Sequence, residues 1–382
     1  MDLTLTDDQR LIQSTARDLL RSWADTAGAR AVRGGDGYST LLWKEMVELG
    51  WLGLAVPQIY GGVGEGFLEA CLLIEEMGGA GVPSPFLTTV ACAGMPIARF
   101  GTEAQRAKWL GGIAGGRAVA YLRAAPSGGW GSTGSDVLAS EADDGGFTLD
   151  GTAMFAAWAA AADGFLVAAS SEAGLTVFLL DAATPGISAE PLEVVGPQPR
   201  YRVRLDQVGV SAGAVLGSAG GGREVVEAAD AFGAAASCAE MVGGAQRVLE
   251  LTVEYAGQRQ QFGRPIGSFQ AVQHHCADMA IDVLGSRLIA YEAIWRLSAG
   301  VDPPAEVALT VSAAKAWVSD AYQRVCALGQ QVHGAIGFTQ EHDLHLFNAH
   351  AMGAALSFGD SDFHTDRVAS AIGLPGADRP VS

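Results

Sequence analysis

The periodicity of the chain changes twice, near residues 118 and 223, and this three-block order limits the fold more than any single motif does. Up to about residue 117 apolar residues recur at helical spacing. In "TDDQRLIQSTARDLLRSWA" Thr6 reads as an N-cap, acids fill the first turn, and Leu11, Ile12, Ala16, Leu19 and Leu20 share one face. "YSTLLWKEMVELG" is a second helix stopped at Gly50, "EGFLEACLLIEEMGGA" a third, and "TEAQRAKWLGGIAGG" a fourth entered at Thr102. Between 118 and 222 the grammar becomes short β-branched or aromatic runs, such as "GFLVAAS", "GLTVFLLDA" and "RYRVRLDQVGV". Gly, Asp and Pro separate them at intervals of about ten residues. From 223 onward helix returns in long runs, one of them opened by Pro303 and Pro304. The order predicts an α+β, mostly α, chain with an α-helical domain over 1–117, an antiparallel β domain over 118–222 and a four-helix bundle over 223–382.

The 382 residues exceed what one small core organises, and 49% hydrophobic against 17% charged residues leaves ample apolar surface to bury and no signature of disorder. A net charge of −18 sets the chain against nucleic-acid backbones. The five cysteines, at 71, 92, 238, 276 and 326, form no C-x-x-C pair and read as buried free thiols of a reducing compartment. "MDLTLTDDQRLIQ" is acidic and helix-forming rather than a secretory leader. No apolar run reaches the roughly 18 residues of a bilayer span, so the expected location is cytoplasmic.

Two segments hold more than helix grammar needs. "RQQFGRPIGSFQAVQHHCADM", 259 to 279, leaves a helix at Arg259, breaks at Phe262 and Gly263, and restarts after Pro265 near Ser268, with Phe269, Val272, Cys276, Met279 and Val283 on one face. As structure it is a helix–loop–helix; as chemistry Arg259 offers a forked donor set to a phosphate, with Gln261 and Phe262 beside it. In "GQQVHGAIGFTQEHDLHLF", 329 to 347, Gln331 precedes Gly334 and Gly337, which would let a ligand approach the backbone. His342, His345 and His350 lack the H-E-x-x-H spacing of a zinc site and read as partly exposed helix histidines. Glu240 and Glu250 read as surface or supporting charges.

In this order and on this layout the two segments resemble the acyl-CoA dehydrogenase family, as do "GWLGLAVPQIYGGVGEG" (50 to 66) and "EEMG" (75 to 78). The resemblance covers nearly the whole chain. It implies a helical domain, a β domain and a helical bundle, with FAD between the β domain and the bundle and part of its adenosine-diphosphate site lent by a neighbouring subunit. It also implies α,β-desaturation of an acyl-CoA or related thioester, an oligomer, usually a tetramer, and an electron acceptor such as electron-transfer flavoprotein. Carried over by position, Arg259, Gln261, Phe262 and Gln331 match contacts to the FAD of the adjacent subunit, with 72 residues between Arg259 and Gln331. Gly334 and Gly337 match a Gly-Gly-x-Gly turn in which Ala335 replaces the second glycine, and Phe155 stands where an aromatic meets the flavin ring.

The departures from the family cluster on reacting groups. Its Thr-Glu-Pro stretch falls on "RAAPSGGW" (123 to 130), which keeps Pro126 but has Ala124 and Ala125 for the polar pair, and Ala157 stands for the next hydroxyl. Taking the α-proton requires a carboxylate within hydrogen-bond reach. The commoner place for that Glu falls on Phe358, before Gly359, and the other on Gly233 and Ala234. The Arg-Asp or Arg-Arg pair becomes Ala349 and His350. Asp360 is the candidate base if the register shifts by two; otherwise Asp360 and Asp362 open a last helix. The expectation is a subunit that completes the FAD site of a paralogous catalytic partner. Two alternatives stay open: a self-sufficient dehydrogenase with Asp360 as displaced base, and a flavin-free scaffold or acyl-thioester-binding protein. The Ala- and Gly-rich stretch with Gly233, Gly243 and Gly244 reads as close helix packing, or as room for a bulky acyl group.

Overall fold

The structure, a computed structural model, describes residues 4–24, 37–124, 130, 135–143, 145–300, 303–339 and 341–374. Its N-terminal layer holds α1 (Asp7–Ala24), α2 (Thr40–Glu48), α3 (Phe67–Ala80), α4 (Met95–Phe100) and α5 (Glu103–Ala114). Thr6 and Thr102 each accept a bond from the backbone N–H three residues on, and the side chains of Gln9 and Gln105 accept from the cap's own N–H in return. Gly50 follows α2 at φ 73°, a left-handed position that ends the helix.

The middle of the chain is one eight-stranded sheet of β1 (Val119–Leu122), β2 (Val137–Glu141), β3 (Phe147–Ala157), β4 (Gly164–Ser171), β5 (Gly174–Asp181), β6 (Ile187–Leu192), β7 (Arg200–Val210) and β8 (Val215–Leu216). The strand path is β6-β7-β3-β2-β4-β5-β8, with β1 also on β4. The expected antiparallel domain is therefore a mixed sheet. β4 runs parallel to β1 from Val119↔Gly164 to Leu122↔Val167, and parallel to β2 at Leu138↔Ser170. The cause is topological: after the β2–β3 hairpin the chain returns on the far side of β2, which obliges β4 to run with β1 and β2. Alternation along β7 turns Tyr201, Val203 and Leu205 inward and Arg202 and Arg204 outward.

The C-terminal half comprises α6 (Gly222–Gln258), α7 (Gln270–Ala299), α8 (Pro304–His333), α9 (Leu344–Leu356) and α10 (Ser361–Ala371). Its core joins Met241, Val242 and Val248 of α6 to Met279 and Val283 of α7, Val318 and Tyr322 of α8, and Phe347 of α9. Each such side chain contributes about 1.5–3 kcal/mol by burial. Only Met279 and Val283 of the apolar face expected on α7 are buried; before Met279 the helix stands clear of the core. Ser268 is not its cap: the hydroxyl donates to Pro265 O, and Phe269 precedes the first helical residue. The glycines of α6 do serve close packing, since a side chain at Gly243 would strike the Glu75 carbonyl of α3 and one at Gly244 the Tyr322 ring. Cys71, Cys92, Cys238 and Cys326 are buried free thiols, and Cys276 is partly buried. No helix among the described residues is long and apolar enough to cross a membrane.

Candidate active site and cofactor-lending surface

The sequence-derived candidates separate into two groups. The first forms a surface at one end of the bundle. A two-residue ladder, Gln260–Gln261 against Arg264–Pro265, lifts Phe262 at φ 53° and Gly263 at φ 78° into solvent. Phe262 is 91% exposed, its ring edge-on to Phe269 at 6.1 Å, and the Arg264 guanidinium covers Phe269 at 4.1 Å. Arg259, Gln261 and Gln331 are exposed. The Tyr255 ring stacks on His333 at 4.4 Å, which joins the end of α6 to the end of α8. Gly334, at φ 63°, has open space where a side chain would stand. Gly337 is buried against Leu344 and His333, so it serves packing rather than an open surface.

The second group lies at the other part of the bundle. Lys315 of α8 is buried and donates from Nζ to Ala354 O (3.2 Å), Ala355 O (3.1 Å), Gly359 O (3.1 Å) and Ser319 Oγ (2.9 Å). It thereby fixes the turn between α9 and α10, where Phe358 adopts φ 60°. His364 Nε2 donates to Phe358 O at 2.9 Å, and Arg200 Nη2 donates to Ser357 Oγ at 2.9 Å. Burial pushes His364 down to about 4 and Lys315 down to about 8. The sixteen helical steps of α8 from Lys315 to Gln331 span about 24 Å, which separates Gln331 from this turn. Asp360 is the N-cap of α10: its Oδ1 accepts from Phe363 N at 2.8 Å. The carboxylate offered as a displaced base is thus already engaged in starting a helix.

Two cavities meet at this turn. One, of about 560 Å³, lies between the sheet and α9. Phe155 projects into it at φ 57° and is 45% exposed, Ala124 and Ala157 present only methyl groups, and Arg200, Gln198 and His350 give it a polar side. Ala125 and Pro126 lie outside the described residues. His350 and Glu240 are half-buried here as a pair: Nε2 is 3.3 Å from Glu240 Oε2, the Tyr322 hydroxyl is 3.3 Å from Nδ1, and Gln198 donates to Glu240 Oε1 at 3.0 Å. The second cavity, of about 700 Å³, lies among α6, the end of α7, the start of α8 and α10, with Val226, Phe232, Leu297 and Val307 on its walls. Arg123, Trp130 and Phe358 line both cavities, and the Trp130 and Phe358 rings, 5.7 Å apart, stand between them.

The two positions at which a glutamate was expected converge in space. The Phe358 ring fills the volume above Gly233, where any side chain would collide with it. Neither position offers a carboxylate. Sequence reasoning missed Asp230, one turn before Gly233 and Ala234 on the same face of α6 and on the wall of the larger cavity. The Tyr121 hydroxyl donates to its Oδ1 at 3.0 Å, and Arg123 Nε lies 3.6 Å from Oδ2. Burial pushes Asp230 up to about 6, against the pull of Arg123 and Tyr121. The available signal was an acid three residues before the expected position, lost among Glu224 and Glu227 of the same helix.

Residues 6–117 match the family model of the acyl-CoA dehydrogenase N-terminal domain, and residues 220–373 that of the C-terminal domain. The chain is 30% identical over 332 residues, 86% of each sequence, to acyl-CoA dehydrogenase FadE27 of Mycobacterium tuberculosis. It is similar in structure to butyryl-CoA dehydrogenase from Megasphaera elsdenii, with a TM-score of 0.89, 28% identity and 97% and 100% of the two chains covered. It is equally similar to a chain of the ChsE4–ChsE5 complex from Mycobacterium tuberculosis, with a TM-score of 0.89, 27% identity and 100% of both chains covered.

Proposed function

Because this chain belongs to the acyl-CoA dehydrogenase family, we propose that it is an FAD-dependent flavoprotein subunit that completes the FAD site of a paralogous neighbour. One observation carries this reading. Arg259, Gln261, Phe262 and Gln331 are all exposed, and Gln331 lies about 24 Å along α8 from Lys315 at the turn that holds Phe358, which supports their serving a neighbour's site rather than this chain's own. When bound, FAD supplies the two-electron acceptor for a hydride leaving an acyl thioester. The residues present fit such a group. Arg259 has the forked donors suited to a diphosphate, Phe262 an open ring face, and Gln261 and Gln331 amide donors and acceptors. On this chain's own side, Phe155 and the polar groups of Arg200, Gln198 and His350 line a cavity between sheet and bundle.

A paralogous rather than identical neighbour is supported by what stands at the reacting positions: Phe358 and Gly233 where a glutamate belongs, and Ala124 and Ala157 where hydroxyls belong. The likeness to a chain of a complex of two differently named proteins favours the same reading. The substrate class is an acyl-CoA or related thioester, and an electron-transfer flavoprotein is the acceptor the family suggests. The test is to purify the chain alone and together with a candidate dehydrogenase-like partner chain that carries the expected glutamate, and to measure bound flavin per subunit. Arg259→Ala with Gln331→Ala is expected to lower flavin content of the joint assembly at least tenfold while the circular dichroism of each chain stays unchanged. A stable homotetramer of this chain alone, carrying one FAD per subunit, would refute the paralogous neighbour.

A further inference from the structure

We propose that Asp230 is the proton acceptor of this chain's own acyl cavity, in place of the glutamate absent at Phe358 and Gly233. The inference rests on the family reading but not on the identity of the neighbour, because it concerns only residues of this chain.

Five observations meet at this side chain. Asp230 sits one helical turn from Gly233, the residue over which the Phe358 ring is folded, so it is the nearest acid on that face of α6 to both expected base positions. It lines the 700 Å³ cavity, and its side chain remains 21% exposed there. One oxygen is held by the Tyr121 hydroxyl at 3.0 Å, which orients the carboxylate and leaves Oδ2 facing Arg123 at 3.6 Å. Arg123 also borders the cavity on the far side of the Trp130–Phe358 pair, so a positive charge stands beside any enolate formed at that junction. Burial makes this carboxylate more basic than a surface aspartate, as proton abstraction at neutral pH requires. Asp360 instead opens on the smaller cavity and caps α10.

In the step, the Cα–H bond of the thioester breaks and an O–H bond forms on Asp230. With oxidised FAD bound as the two-electron acceptor, the Cβ–H electron pair would leave as hydride, and a Cα=Cβ double bond would remain. The proton half can be read without any net redox reaction. The flavin-loaded assembly, with the partner chain's own base carboxylate replaced by its amide so that only this chain's cavity can exchange, is incubated anaerobically in D₂O with a panel of straight-chain, branched and ring-bearing acyl-CoA thioesters, and deuterium at Cα is measured by mass spectrometry.

Wild type is expected to wash deuterium into at least one thioester, and Asp230→Asn to slow this about 100-fold or more with flavin content unchanged. Asp360→Asn should stay within about threefold of wild type. The exchange rate should rise through about pH 6, the value to which Asp230 is raised. The groups facing Asp230 from other elements are Tyr121, Arg123, Arg367 and Cys92, and the two that could lose a proton, Tyr121 and Cys92, are both pushed well upward by burial. Should Asp230→Asn fail to assemble, Asp230→Glu decides: exchange with a displaced pH midpoint supports the assignment, and an unmoved midpoint overturns it. Exchange that persists in Asp230→Asn, or a panel in which wild type exchanges no thioester, also overturns it. A fully loaded homotetramer would end the paralogous reading and leave this test intact.

Discussion

At the scale of single residues, the turn at Phe358 shows how much surrounding structure it takes to hold a side chain where its backbone resists. A non-glycine residue at φ 60° costs on the order of 1–3 kcal/mol, and here its own carbonyl and that of Gly359 are tied down by His364 and Lys315. His364 does this as a neutral imidazole, because burial depresses it to about 4. The sign follows from linkage. Between pH 6.5 and about 4 the unfolded chain binds a proton that the folded chain refuses, so stability is lost as pH falls through this window. A shift of this size corresponds to about 3 kcal/mol. Asp230 acts in the opposite sense: raised to about 6, it returns stability as pH falls toward 4. The His364 contribution must therefore be read as a difference. His364→Gln, which cannot titrate, is expected to gain about 3 kcal/mol on wild type between pH 7 and pH 4 in denaturant melts. Parallel pH curves for the two proteins would show that His364 is not the group responsible.

At the scale of elements, the contact between α6 and the α9–α10 turn is a matched pair of a missing side chain and an oversized one. Gly233→Ala puts a methyl group into the Phe358 ring and is expected to cost about 1–3 kcal/mol. Phe358→Ala should relieve that clash, so a double-mutant cycle by urea melts should depart from additivity by at least about 1 kcal/mol. Additive losses would mean the ring does not occupy that space in solution. This same pair marks the limit of what could be read from sequence. The order of helical, β and helical blocks was legible because periodicity and capping are local, as Thr6, Gly50 and Thr102 illustrate. The parallel pairing of β4 with β1 and β2 was not, since it depends on which side of β2 the chain returns to. Asp230 was hidden for a geometric reason: counting along a fixed alignment stops at one position, whereas a helix presents the same face again a turn away. The His350–Glu240 pair, 110 residues apart in the chain, had no local signal at all.

At the scale of the whole molecule, a chain of net charge −18 carries an apolar stripe that its own fold leaves uncovered. Ile281, Leu284 and Leu288 of α7 are 67%, 58% and 48% exposed at intervals of three and four residues, with Trp317 of α8 exposed as well. The stripe lies about 17–27 Å along α7 from Gln270, on the helix that follows the hairpin of Arg259 and Phe262. A neighbour of the same fold that covers it would also receive the lent cofactor contacts, so assembly and cofactor binding should fail together. Leu284→Glu with Leu288→Glu adds two charges to a surface already acidic, and is expected to reduce the assembly to single chains by light scattering and to lower bound flavin at least tenfold. Neither residue touches the bundle core, so the helical circular dichroism should not change. Salt separates the two forces involved. Raising ionic strength screens the repulsion between acidic subunits, so it should shift wild type toward the assembled form and leave the doubly charged variant apart, because burying two glutamates costs more than screening recovers. An assembly that survives both substitutions with its flavin would place the shared interface elsewhere on the molecule.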